Sequence, residues 1–178
     1  QLYAALKRSG KHRRYQVQRG IRLIEAEGRP IDFRALVQRN GRGEWTVSSI
    51  VARIAASNNF ASNLARGGKI GPVYGTVSRS NLLPALQTGI RSKLHQAALA
   101  VARGIDRQIA GHYAELGVDL AVDLSGKVWL LEVNAKPSKD AEAKDGGVRV
   151  RPSVKKLVRY SQYLLKRQGA AARQRLPI

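Results

Sequence analysis

The segment from Glu115 to Pro137, ELGVDLAVDLSGKVWLLEVNAKP, constrains the fold more than any other part of this 178-residue chain. Two runs of alternating apolar and polar residues flank Ser125-Gly126, a dipeptide suited to a two-residue hairpin turn. That turn fixes a register in which opposed residue numbers sum to 251, setting Leu124 against Lys127, Val122 against Trp129, Leu120 against Leu131 and Val118 against Val133. This face is almost wholly apolar, and the register predicts that it is core, Trp129 included. The other face carries Asp119, Ala121 and Asp123 against Val128, Leu130, Glu132 and Asn134, with Asp119 directly across from Glu132.

Like charges directly opposed on a sheet are destabilising. Two carboxylates so close force one pKa upward unless a cation sits between them. Carboxylate and amide oxygens are hard ligands of the kind Mg²⁺ prefers, and Mg²⁺ keeps waters and bridges substrate phosphates. The plainer reading is a solvent-facing acidic strand face, common in antiparallel sheets. Chemistry alone leaves both open.

Elsewhere the pattern predicts a helix over 2–8, a short β-type run over Tyr15–Gln18, a strand over Ile31–Arg39, a turn at Asn40–Gly43 and a strand over Trp45–Ile54. Residues 57–72 read as loop. From Leu94 the apolar positions Leu94, Ala98, Val101, Ile105 and Ile109 mark a long amphipathic helix. The hairpin strands, Val118–Leu124 and Val128–Asn134, come next. Beyond a polar stretch, 138–151, a last helix is expected, with Ser153 as its cap and Val154, Leu157, Val158, Ser161, Leu164 and Leu165 as its apolar stripe. This order predicts an α+β fold with an antiparallel sheet packed against helices.

Composition excludes several chemistries. The absence of cysteine removes disulfides, thiolate metal sites and a cysteine nucleophile. The scattered histidines form no HExxH pair for zinc. No apolar run is long enough to span a bilayer and no signal peptide opens the chain, so a soluble, cytoplasmic domain is expected. The chain begins at Gln1 and lacks methionine, which favours a fragment or a processed protein. Its net charge is +20, concentrated at the ends: residues 1–30 carry eight basic against two acidic side chains, and residues 149–178 carry nine against none. The ends read either as a polyanion surface, for nucleic acid or an acidic polymer, or as solvated helix faces.

The spacing D-x12-E-x-N followed by proline resembles the metal-binding hairpin of ATP-grasp ligases, with Asp119, Glu132 and Asn134 matching its ligands. Other segments resemble that superfamily in the same order. YQVQRGI, Tyr15 to Ile21, is similar to the interlobe hinge whose backbone reads adenine. Asp32-Phe33-Arg34 is similar to the D-x-R strand whose arginine faces the phosphates, and SNLARGG, Ser62 to Gly68, to the N-x-x-x-G-G loop beside the acceptor site. QRNGRGEW, ARIA, SNLARGG and VWLLEVNAKP together resemble, more narrowly, the endospore coat-associated YheC/YheD type, over about residues 12–165.

The resemblance implies an ATP-grasp large lobe over 1–178 and a carboxylate–amine ligase that uses ATP and Mg²⁺, with Mn²⁺ as the alternative ion, through an acyl phosphate. It gives Arg34, Asn63 and Lys136 catalytic roles, and makes Asp119, Glu132 and Asn134 the metal ligands. It places Gln18, Arg19, Gly20, Ile21, Glu25, Arg34, Leu131, Gly67 and Gly68 against the nucleotide. It also implies spore-coat association. The sequence departs from the pattern in three ways. The small lobe that supplies lysines and a glycine-rich flap would precede residue 12, so this chain by itself is expected to bind ATP weakly and not to turn over. Ala61 stands where many relatives have an arginine, for which Arg53 or Arg66 is a substitute. Arg19 replaces an acidic hinge residue, at a position where the adenine contacts are mostly backbone. Two other functions compete: a structural, coat-associated protein that keeps the fold without turnover, and a basic polyanion-binding module. The substrate pair and the oligomeric state are not specified.

Overall fold

The computed structural model describes residues 18–56, 68–138 and 151–173. Strand β2 (Arg29–Arg39) is central, since its alternation gives the sheet two unlike faces. Ile31, Phe33, Ala35 and Val37 point one way and have no exposed surface; Asp32, Arg34 and Gln38 point the other way. Around it are β1 (Glu25–Ala26), β3 (Trp45–Ile54), β4 (Lys69–Pro72), β5 (Glu115–Val122) and β6 (Val128–Asn134). The order is β4-β3-β2-β5-β6, with β1 added beside the start of β2, and every pairing is antiparallel. Glu27 and Gly28 join β1 to β2 with φ of 54° and 69°, the left-handed pair that a tight hairpin needs.

Among the described residues, three helices precede β5. Short α1 (Val73–Val77) and α2 (Pro84–Gln87) lead into α3 (Ile90–Gln108), which lies over the apolar face of the sheet. Ile90, Leu94, Ala98 and Ala102, four residues apart, form its buried row. The last helix, α4 (Pro152–Arg173), packs on β2, where the carbonyl of Ser153 accepts a hydrogen bond from Gln38 Nε2 at 3.1 Å.

The α+β architecture, the two long strands and the turn at Asn40–Gly43 agree with the sequence reading; Asn40 Oδ1 accepts from the amides of Arg42 and Glu44 there. Other details differ. Lys69–Pro72, read as loop, pairs with β3 as an edge strand. In α3 the row runs on through Ala102; Val101 and Ile105 are only partly buried against the core, and Ile109 is 47% exposed at the C-cap. Ser153 does not cap α4, which starts one residue earlier at Pro152. Four of the six residues of the expected α4 stripe point outward, Val154, Val158, Ser161 and Leu165 being exposed, while Ser153 and Tyr160 are buried. The helix packs on a polar patch of the sheet and on His112, whose ring stacks on Tyr160 with centroids 5.8 Å apart. The helix expected over 2–8 and the β-type run over 15–17 lie outside the described residues, and Gln18 belongs to no strand.

The hairpin has a longer turn than expected. Asp123 N–H donates to Lys127 O at 3.0 Å and Gly126 N–H to Asp123 O at 2.9 Å, so Leu124, Ser125 and Gly126 form the loop, with Gly126 at φ 76°. The Asp123 carboxylate accepts from Ser125 N–H and Oγ, Lys127 N–H and Trp129 Nε1. Burial pushes this carboxyl up, but the hydrogen bonds outweigh it and hold the pKa at about 2. The extra loop residue shifts the register, so Val122 faces Val128, Ala121 faces Trp129 and Leu120 faces Leu130. A bulge at Leu131 then restores the expected sum, setting Asp119 against Glu132, Val118 against Val133 and Gly117 against Asn134. Trp129 therefore lies on the acidic face rather than in the core. Lys127 Nζ stands 4.1 Å from its ring centroid, and the Arg19 guanidinium 5.9 Å.

Candidate metal and phosphate site

Four neighbouring strands bring charge together on the face opposite the core. Arg34 of β2 pairs across the sheet with Asp119 of β5, and Asp119 with Glu132 of β6. On the other side of β2, Arg53 of β3 pairs with Asp32. The Arg34 guanidinium grips Asp119 with two prongs, Nε to Oδ1 and Nη2 to Oδ2, the second at 2.8 Å. Arg53 Nε donates to Asp32 Oδ1 at 2.5 Å, while its Nη2 lies 3.2 Å from Asp119 Oδ2. These four side chains are at most 20% exposed. Glu132 lies exposed beside them.

Burial and neighbouring charge act on Asp32 and Arg53 in this cluster. Burial pushes Asp32 up to about 6, against the opposing pull of its hydrogen bond to Arg53. Burial works against the Arg53 cation too, yet Asp32 and then Asp119 hold its pKa above the ordinary value. Gly117 makes the arrangement possible. A Cβ there would meet Pro137 Cβ at 2.8 Å and Arg34 Nη1 at 3.4 Å, so glycine leaves the room over the strand that Pro137 and the Arg34 guanidinium occupy.

The donor set suits a divalent cation of the magnesium kind. Asp119 and Glu132 supply carboxylate oxygens from directly opposed positions, and Asn134, across from Gly117, adds an amide. Both Asp119 oxygens already accept from guanidinium groups, but a carboxylate has about four lone-pair sites and can serve a cation as well. Among the described residues no three His, Cys, Asp or Glu side chains converge as a metal cage, so a cation held here would need Asn134 or substrate oxygens as further ligands.

The other candidate residues are more dispersed. Gln18, Arg19 and Gly20 are exposed, and Ile21 is half-buried, in the segment whose Ile24 N–H reaches Val122 O at 2.9 Å at the end of β5. Arg19 thereby comes over Trp129, two positions before the bulged Leu131. Glu25 stands in β1 across from Pro30, with its N–H bonded to Asn81 Oδ1, on a strand apart from those carrying Arg34 and Asp119. Lys136 is exposed beyond β6, and Gly68 immediately precedes β4. Asn63 and Gly67 lie outside the described residues, as do Ala61 and Arg66. The sequence gives no site role to Asp32 or Gly117, and to Arg53 only that of a substitute for a missing loop arginine. A lone cation within the apolar run VARIA was the available signal for Arg53.

Among the described residues no helix is long and apolar enough to cross a membrane. The family model for YheC/D-like ATP-grasp proteins matches residues 1–164. Endospore coat-associated protein YheD of Bacillus subtilis (strain 168) is 34% identical over 125 residues, which are 70% of this chain and 27% of that protein. Endospore coat-associated protein YheC of the same organism is 23% identical over 125 residues, 70% of this chain and 34% of that protein. The chain thus spans about a third or less of the length of these relatives. A crystal structure of the C-terminal domain of K. lactis Pby1, described as an ATP-grasp enzyme interacting with the mRNA decapping enzyme Dcp2, aligns with a TM-score of 0.47 at 18% identity, over 71% of this chain and 41% of that one. The chain belongs to the YheC/D-like ATP-grasp family.

Proposed function

We propose that this chain forms the Mg²⁺–ATP-binding part of a carboxylate–amine ligase that works through an acyl phosphate. The observation that carries this reading is the row Arg34, Asp119, Glu132 across three adjacent strands, with a guanidinium beside opposed carboxylates. Asp119, Glu132 and Asn134 hold the metal through hard oxygens; once bound, a divalent ion neutralises phosphate charge and orients the transferring group. Arg34, planar and fixed by Asp119 over Gly117, stabilises charge on the transferring phosphoryl. Arg19, Gly20, Ile21 and Leu131 line the nucleotide on the side of the hairpin tip, and Asn63, Gly67 and Gly68 present donors to the acyl phosphate. Lys136 adds a cation near the phosphates.

In chemical terms, a substrate carboxylate oxygen attacks the γ-phosphorus and the bond to the ADP oxygen breaks, giving an acyl phosphate. An amine nitrogen then attacks the acyl carbon, phosphate leaves, and the nitrogen loses its proton. Hydroxylamine tests this directly in the full-length protein supplied with Mg²⁺–ATP and a panel of carboxylates. An active carboxylate gives hydroxamate and ADP in equal amounts, because hydroxylamine intercepts the acyl phosphate. ADP formation without hydroxamate contradicts the acyl phosphate, and no ADP with any carboxylate contradicts the ligase.

A second reading has its own observation. Lys155, Arg159 and Lys166 lie exposed along α4, a helix without acidic residues, in a chain of net charge +20. Binding of nucleic acid that weakens steeply with salt and is indifferent to ATP favours a polyanion-binding role.

A further inference from the structure

Asp119 accepts from two guanidiniums held in different ways. Arg34 grips it with a fork on both oxygens, whereas Arg53 reaches it with a single nitrogen, Nη2, at 3.2 Å from Oδ2. The Nε of the same guanidinium is fixed at 2.5 Å to a different carboxylate, Asp32 Oδ1. Arg53 thus links two buried acids, with its shorter contact to the acid away from Glu132. The cluster as a whole sets three carboxylates, Asp32, Asp119 and Glu132, against two guanidiniums.

We infer that Arg53 is the site's resident counter-cation. It shares the charge of Asp119 while no divalent ion is present and moves fully onto Asp32 when one arrives, so the Asp32–Arg53 pair sets metal affinity without touching the metal. This rests on the metal reading above.

The physical argument has two parts. A cation entering between Asp119 and Glu132 is repelled by whichever guanidinium shares Asp119, and the weaker, single contact yields first. A buried guanidinium that gave up its only partner would be strongly disfavoured, but Asp32 already holds Arg53 and stays its partner after Asp119 is released. Asp32 and Arg53 are therefore positioning residues with opposite effects. Asp32 draws Arg53 away from the metal ligand, and Arg53 competes with the metal for that ligand. Ordinary structural damage would weaken metal binding in both variants.

Mn²⁺ serves as the probe, with bound and free ion measured by electron paramagnetic resonance on the full-length protein, with and without a non-hydrolysable ATP analogue. Asp32→Asn leaves Arg53 wholly on Asp119 and is expected to weaken Mn²⁺ binding about tenfold, while Arg53→Gln strengthens it by about as much, as one unit charge beside a carboxylate does to proton binding. Arg53→Lys, which keeps the charge, stays near the wild type. Metal-free melting curves establish that each variant is folded, and if Arg53→Gln does not fold, Asp32→Asn decides alone by whether its affinity falls. Unchanged affinity in Asp32→Asn, or a loss in both Asp32→Asn and Arg53→Gln, overturns the inference. If Glu132→Gln abolishes Mn²⁺ binding in that case, the metal reading survives and only the role of Arg53 falls. A wild type that binds no Mn²⁺, or a Glu132→Gln variant that binds it as well as the wild type, removes the metal reading and this inference with it.

Discussion

The same three strands build two polar clusters on one face of the sheet, and the two are made differently. At one end, β2, β3 and β5 contribute Gln38, Thr46 with Ser48, and Glu115. Gln38 is fully buried; its Nε2 donates to Glu115 Oε2 at 2.9 Å and to Ser153 O at 3.1 Å, and its Oε1 accepts from Ser48 Oγ at 2.7 Å. Helix α4 lies over this end, and Lys156, its amine pushed down by burial, donates to Thr46 and Ser48. At the other end the same strands contribute Asp32 with Arg34, Arg53 and Asp119, with Glu132 exposed beside them. The amide-centred cluster is what a helix needs in order to seat on a sheet, since each buried polar group finds a partner. Buried ion pairs add little net stability over apolar packing, so a sheet that concentrates them is better explained by a ligand than by folding.

The comparison predicts that substitutions at the charged end alter ligand response, whereas those at the covered end alter stability alone. The largest effect is expected from Arg34→Ala. It removes the two-pronged partner of a nearly buried Asp119, which costs about 3 kcal/mol in unfolding free energy, and in the full-length protein it should lower ATP turnover by orders of magnitude. Chemical denaturation and ADP release measure both; normal turnover in a folded Arg34→Ala protein would detach Arg34 from the chemistry.

A pH series sharpens the contrast. The carboxyl of Asp32 is raised from 3.8 to about 6 by burial, so between those values the folded state holds a proton that the unfolded chain releases. Its contribution to stability is complete below about pH 4 and is lost as the pH rises through about 6, a change of about 3 kcal/mol. The difference in unfolding free energy between wild type and Asp32→Asn therefore has a falling slope across this window. A rising slope would mean that Arg53 dominates and that the carboxyl lies below its ordinary value.

Gln38→Leu is the smaller counterpart at the covered end. It leaves the hydroxyl of Ser48 and an oxygen of Glu115 without their amide partner, at a cost of about 2 kcal/mol. The melting shift produced by Mg²⁺–ATP should equal that of the wild type. A lost shift would show that the two clusters act together.

The sequence revealed most of the sheet because one face of each long strand is core, which imposes alternation on Ile31–Arg39, Trp45–Ile54 and the hairpin strands. It did not reveal β4, because Lys-Ile-Gly-Pro carries too little alternation to register as a strand. The pairing of Asp119 with Glu132 was predicted from a two-residue turn that does not exist; the longer loop and the bulge at Leu131 each shift the register by one and cancel. Between loop and bulge they do not cancel, which is why Trp129 lies on the acidic face and not on the core face that the two-residue turn predicts. The Arg34–Asp119 pair could not be read at all. Its partners are 85 residues apart, and nothing local fixes how β2 slides against β5. The α4 stripe points mostly outward: apolar periodicity predicts an apolar seat, whereas this helix seats on Gln38 and on an aromatic stack.

The claim that the hairpin carboxylates hold the metal for ATP is tested most directly by melting the full-length wild type and its Glu132→Gln variant with and without Mg²⁺–ATP. Glutamine is nearly isosteric, so the strand pairing of Asp119, Val118 and Val133 should be preserved. The metal-free variant is expected to melt at the wild-type temperature or slightly above it, since repulsion with Asp119 is removed. Mg²⁺–ATP should raise the melting temperature of the wild type and leave that of the variant almost unmoved. An equal rise in both proteins would contradict the assignment of Glu132 as a metal ligand.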